Sequence, residues 1–107
     1  MNSSKAEIFY NDRPAGILSK ENGKYYFQYD ESYLKDDNSP SISLSLPKRE
    51  EKFVSDFLFP FFYGLLAEGD NKEIQCRSLG IDEKDHFTRL LKTSSNDTIG
   101  GIIVREL

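Results

Sequence analysis

The chain has little of what catalysis and metal binding need. Its 107 residues hold a single histidine, His86, and a single cysteine, Cys76. One of each excludes an internal disulfide and cannot supply the three or four converging ligands of a zinc site. A Ser-His-acid or Cys-His pair would have to recruit His86, and no spacing singles out a nucleophile for it. The plainer reading of both residues is preferred: His86 as a surface or half-buried helix residue, Cys76 as an inert thiol where a small hydrophobe is wanted. Long apolar runs are missing too, since none approaches the roughly 20 residues of a membrane helix. The N-terminus has neither the basic nor the apolar region of a signal peptide, so the expected compartment is the cytoplasm. There the acceptor-like Asn2 and Asn96 never meet the glycosylation machinery. Basic excess is absent as well: 14 Lys and Arg stand against 18 Asp and Glu, for a net charge of -4. That field repels phosphate backbones, so direct nucleic-acid binding is not expected. Asp36-Asp37-Asn38 lacks the alternating ligands and central glycine of a calcium loop. Gly100-Gly101 precedes a strand and not a helix, so it lacks the helix N-terminus that holds phosphate. A bulge or the close approach of two backbones explains that pair better, and no cofactor is expected.

What is present is aromatic mass. Eight Phe and six Tyr accompany a mean hydropathy of -0.58. Such side chains bury large apolar area per residue, which disordered chains do not do. One folded domain over residues 1–107 is expected. Residues 6–10 and 16–20 read as two strands separated by the turn formers Asn11-Asp12-Arg13-Pro14. The Asn-Gly pair in Glu21-Asn22-Gly23 turns the chain into an aromatic third strand over 24–29, which completes a meander. Residues 30–35 make one helical turn that places Tyr33 and Leu34 on the core. The strict alternation of residues 41–46 predicts a strand with Ile42, Leu44 and Leu46 on one face, ended by Pro47. The mixed-sign run 48–52 is a solvated loop that could join a polar interface rim.

Ser55-Asp56 suits an N-cap for a helix reaching about Leu66, although Pro60 either starts that helix as its first residue or kinks it. Capping signals at Asp70 and Asp82 open two more helices, the first closed by Gly80 and the second running through Leu91. Residues 99–104 form a nearly all-apolar last strand, expected in the centre of the sheet. The expected class is therefore α+β: a small antiparallel or mixed sheet, the meander plus two further strands, against about three helices. Phe57, Phe59, Phe61, Phe62 and Tyr63 are denser than one helix face can hold. Phe57 and Phe61 share a core-facing sector with Leu58, Phe62, Leu65 and Leu66, while Phe59 and Tyr63 fall on another side. There they either cover the sheet or meet a partner.

Five segments in order carry a resemblance: Ala15-Gly16-Ile17-Leu18, Phe27-Gln28-Tyr29, Ser43-Leu44-Ser45-Leu46-Pro47, the run 61–69 from Phe61 to Gly69, and Thr98-Ile99-Gly100-Gly101. Together they resemble the N-terminal subdomain of HipA-type serine/threonine kinases, over residues 6–104. In that family the segment opens a longer toxin kinase whose partner HipB binds DNA. The resemblance implies that the chain stops where a kinase core would begin. It also implies that the chain transfers no phosphate itself, having no catalytic-loop or metal-binding Asp motif. In tripartite HipBST systems this subdomain is a separate protein, HipS, which neutralises a shortened kinase, HipT. By that likeness the chain is an antitoxin that binds a HipA- or HipT-like kinase, with a HipB-like DNA-binding protein in a larger complex. The candidate partner-binding residues are Phe59, Tyr63, Gly64, Glu68, Gly69, Asp70, Asn71 and Lys72. Two positions depart from the family pattern: Ala67 stands where proline is common, and Asp70 where a large aromatic often follows the glycine. Inhibition would then rest on wedging the kinase lobes and not on an aromatic plug. The alternatives are a structural subdomain or fragment of a HipA-like toxin, a small enzyme using His86, and direct DNA contact.

Overall fold

A computed structural model describes residues 3–66, 77–78, 80, 85–93 and 101–107. The meander forms as expected, from β1 (Ser3–Tyr10), β2 (Arg13–Glu21) and β3 (Lys24–Tyr29). Both hairpins close through two residues with positive φ, Asn11 and Asp12 in the first and Asn22 and Gly23 in the second. Such turns match the right-handed twist of the strands they join, and Asn, Asp and Gly tolerate the left-handed backbone best. The first turn is tighter than residues 11–14 suggested, because Arg13 and Pro14 already pair with β1.

Strand β4 (Phe53–Ser55) adds to β3, and β5 (Ile102–Glu106) adds to β1. The sheet is antiparallel throughout, in the order β4-β3-β2-β1-β5. Helices α1 (Glu31–Lys35), α2 (Pro60–Tyr63) and α3 (His86–Thr93) accompany it, and residues 77–78 are helical as well. This is the α+β class read from the sequence, but two strands are not where the pattern put them.

Residues 41–46 are not a strand. They hold one isolated bridge, Ser43 to Leu46, and a tight turn in which the Leu46 amide donates to the Ser43 carbonyl at 3.1 Å. The serines drive this: the Ser45 amide donates to the Ser43 hydroxyl at 3.2 Å, giving the backbone a local alternative to a ladder. Ile42 and Leu46 are buried as expected, whereas Leu44 stands wholly exposed, at 102%. The strand expected there is supplied instead by β4, next to the mixed-charge loop. The final strand is also displaced, since β5 lies at the sheet edge and not in its centre. Its Ile102 and Val104 are buried, while Arg105 and Glu106 are exposed.

One face of the sheet carries the core. Ala6, Ile8, Leu18, Phe27, Phe53 and Val104 meet Phe62 of α2 and Phe87, Leu90 and Leu91 of α3. Phe27 sits in the middle, with ring centroids 5.0 Å from Tyr29, 6.4 Å from Phe53 and 5.7 Å from Phe62. Asp85 caps α3, accepting from the Thr88 amide at 3.2 Å and from its hydroxyl at 2.7 Å. Asp82, Cys76 and most of the helix expected from Asp70 to Leu79 lie outside the described residues.

Gly16 has a packing reason to be glycine. A Cβ there would fall onto the Gln28 carbonyl oxygen and lie 2.9 Å from Cζ of Phe27. We expect Gly16→Ala to cost about 1–3 kcal/mol, because neither a ladder carbonyl nor a core ring can withdraw freely. Urea unfolding measures it, and an unchanged midpoint would refute the close approach. Gly101, at φ +77, has a backbone reason instead, since side chains rarely adopt that conformation, and a Cβ there would also overlap Oδ1 of Asn11. The Asn11 amide donates to the Gly101 carbonyl at 3.0 Å, which is the close backbone approach expected of the Gly-Gly pair.

Candidate protein-binding surface

The surface is built around α2 and the turn before it. Pro60 stands as the first helical residue, where its missing N–H is no loss, so the helix starts there and not at Ser55. Ser55 is instead the last residue of β4, and its hydroxyl accepts from the Phe57 amide at 3.1 Å. The late start reverses the expected facing of the aromatics. Phe57 precedes the helix and is 79% exposed, while Phe59 at 7% belongs to the core, its ring 6.3 Å from that of Phe62. The core-facing sector of Leu58, Phe62 and Leu66 is as expected, with Phe61 and Leu65 packed partly against it.

Tyr63 is an expected contact residue that the structure leaves accessible, at 41% exposure. Its ring meets the half-buried His86 edge-on, with centroids 4.9 Å apart. His86 Nδ1 lies 3.3 Å from Nη1 of the buried Arg89, a structural setting within α3. Gly64 closes α2, its amide donating to the Pro60 carbonyl at 2.9 Å, and is exposed. Glu68, Gly69, Asp70, Asn71 and Lys72 lie outside the described residues.

Beside Gly64 opens an apolar cleft of about 480 Å³, lined by Pro60 and Phe61 of α2 and by Gly64 and Leu65 just after it. Ser41 and Ile42 form its other wall, with Tyr10 and Ile102 at the end. None of these side chains is charged. Sequence reasoning missed this cleft, and it missed Phe57 and Leu44 as exposed residues by assigning both to the core. A signal for Leu44 was available in the flanking Ser43 and Ser45, which favour turns.

The 36–48 loop that makes the second wall is firmly tied. Asp36 accepts from the Asn38 amide at 2.9 Å and from Arg13 at 2.7 Å, and these donors, in that order, hold its carboxyl below the usual carboxylate range. Lys48 Nζ donates to the carbonyls of Asp36 and Ser39 and to the Ser39 hydroxyl, each at 2.9 Å. The Tyr29 hydroxyl accepts from the Ile42 amide at 3.0 Å and donates to the Leu46 carbonyl. Burial pushes the Tyr29 phenol up from its ordinary value.

Among the described residues no three His, Cys, Asp or Glu side chains converge, and no helix is long and apolar enough to cross a membrane. The surface has the means to bind: exposed apolar side chains, a cleft and rigid loops.

Comparison with known proteins bears on whose surface this is. The family model for the HipA N-terminal domain matches residues 6–105. The putative kinase Y4mE of Sinorhizobium fredii is 32% identical over 101 residues, covering 94% of this chain and 23% of that protein. The chain thus spans about a quarter of that relative's length. An uncharacterized protein of Haemophilus influenzae is 31% identical over 100 residues, covering 94% of this chain and 90% of that one. Among solved structures, the N-terminal domain of HipA toxin superposes with a TM-score of 0.71 at 26% identity, over 97% of this chain and 92% of that chain. With the superposition and the family match in agreement, the chain belongs to the HipA N-terminal domain family.

Proposed function

We infer that this protein is an antitoxin-like regulator that binds a separate HipA-family serine/threonine kinase in the cytoplasm and holds it inactive. It acts by shape and contributes no reactive group, and a HipB-like DNA-binding protein joins through the kinase. One observation carries the reading. In a chain of this family, large aromatic side chains stand in the open before and at the end of α2, with Phe57 at 79% and Tyr63 at 41% exposure. Buried aromatic anchors dominate the energy of protein interfaces, so such residues are what a binding surface offers. The Haemophilus influenzae relative adds support, because this chain covers 90% of its length.

The test is co-expression with a HipA-family toxin kinase that lacks this domain. Growth is expected to recover and the two chains to co-purify. Persistent toxicity without co-purification would sink the reading.

A second reading has its own support: Y4mE and Y4dM of Sinorhizobium fredii, both called putative kinases, match this chain over 23% and 24% of their lengths. There the same fold would be a structural subdomain of a longer toxin. The reading frame beyond Leu107 separates the two.

A further inference from the structure

A lone exposed leucine is ordinary on a protein surface. Leu44 is distinguished by its mounting. It is 102% exposed at the tip of a turn whose flanking side chains, Ile42 and Leu46, are 6% and 2% exposed. The single hydroxyl of Tyr29 holds both flanks, taking the Ile42 amide on one side and giving its proton to the Leu46 carbonyl on the other. The hydroxyls of Ser43 and Ser45 lie 3.0 Å apart across the tip, and the Lys48 amide donates to the Ser41 hydroxyl at 3.0 Å below it. A turn held at this many points has lost its conformational freedom before any partner arrives, which lowers the cost of binding through it. Two residues away, Ile42 forms the wall of the uncharged cleft whose other side is α2. A tethered apolar knob therefore stands two residues along the chain from a wall of an apolar cleft.

We propose that the Leu44 turn and the adjoining cleft are the seat of the kinase body, with Leu44 as an apolar anchor entering a pocket on it. This deepens the function proposed above and rests on it. The occupant follows from three observations. The cleft lining is uncharged, so it suits an apolar protein surface and not a phosphate backbone. Gly64, one of the residues that the family resemblance implies contact the kinase, lines this cleft. Finally, the matched region is only 23% of Y4mE, so in a relative named a putative kinase a much larger body accompanies this domain.

The experiment measures binding of the whole chain to a purified HipA-family kinase lacking its own N-terminal domain. The variants are Leu44→Asp and, as an equivalent change at the β4 sheet edge, Val54→Asp, whose parent side chain is 57% exposed. Leu44→Asp is expected to raise Kd roughly ten- to a hundredfold, what burying one leucine side chain is worth. Val54→Asp is expected to leave Kd within about twofold, as surface changes away from special features do. Thermal unfolding of both variants reports whether the fold is retained; because Leu44 packs on nothing, its midpoint is expected to stay. If the wild type binds and Leu44→Asp binds equally well, the seat is elsewhere and the antitoxin reading stands. If the wild type does not bind any such kinase, both fall. Concentration-dependent self-association lost in Leu44→Asp, with kinase binding unchanged, would assign the knob to a second copy of the chain and overturn the proposal.

Discussion

Phe27→Ala is expected to destabilise the protein by about 3–5 kcal/mol, the range for emptying a buried aromatic site. Phe27 is fully buried and shares ring contacts with Tyr29 on its own strand, Phe53 on β4 and Phe62 on α2. Removing it leaves a void bounded on one side by the hydrogen-bonded ladder of β2 and β3, which cannot collapse inward without breaking pairs. The cost therefore falls in the upper part of what large-to-small changes show. Against a total stability of roughly 5–15 kcal/mol, such a loss leaves little margin at physiological temperature. Urea unfolding of wild type and variant provides the check. A loss below about 1 kcal/mol would mean that the neighbouring rings refill the site.

Tyr29→Phe tests the mounting of the 41–47 loop. The ring remains and its stacking on Tyr33, at 5.9 Å between centroids, is retained, so the effect isolates the hydroxyl. The Ile42 amide and the Leu46 carbonyl both lose their partner in a buried setting. An orphaned buried polar group costs about 1–3 kcal/mol, and here there are two. Under the proposed kinase seat, the variant should also bind the kinase more weakly, because Leu44 then sits on a looser turn. Binding that falls with Leu44→Asp but not with Tyr29→Phe would show that the anchor does not depend on that mounting.

The hydroxyl carries a pH signature as well. Burial raises the Tyr29 phenol, and burial does the same to Tyr33. A phenol whose folded value lies above its unfolded value contributes stability fully present below the unfolded pKa of about 10. That stability is lost as the pH rises through the folded value, because the folded state resists releasing the proton. Wild-type stability should fall on the alkaline side of pH 10, and Tyr29→Phe should remove part of that fall, leaving the share due to Tyr33. Denaturant midpoints between pH 8 and 11 measure the difference.

Local chemistry was enough for much of this molecule. The meander follows from short-range signals: Asn22-Gly23 demands a turn that only a hairpin uses, and the aromatic run after it has nowhere better to go than a half-buried sheet. The Asp30 cap of α1 is equally local, its carboxylate accepting from the Tyr33 amide at 3.2 Å. The start of α2 was legible only in part, because Pro60 suits a first helical position or a kink and the cap signal at Ser55 pointed to an earlier start. The family resemblance was legible for the same reason, being carried by short segments in a fixed order.

Tertiary structure decided what needed a distant partner. Residues 41–46 alternate as a strand should, yet alternation specifies a face and not a ladder. The backbone there is satisfied by a hydroxyl donated from β3 and by neighbouring serines. Phe57 and Phe59 are chemically equivalent in the sequence, and which one is buried depends on where α2 meets Phe27 across the sheet. The all-apolar end of the chain read as a central strand, but among the described residues its neighbour is β1 alone. Turn formers and caps act over two or three residues and so speak for themselves. Strand order and the choice of which aromatics stay exposed are settled only when segments far apart in the chain compete for the same face.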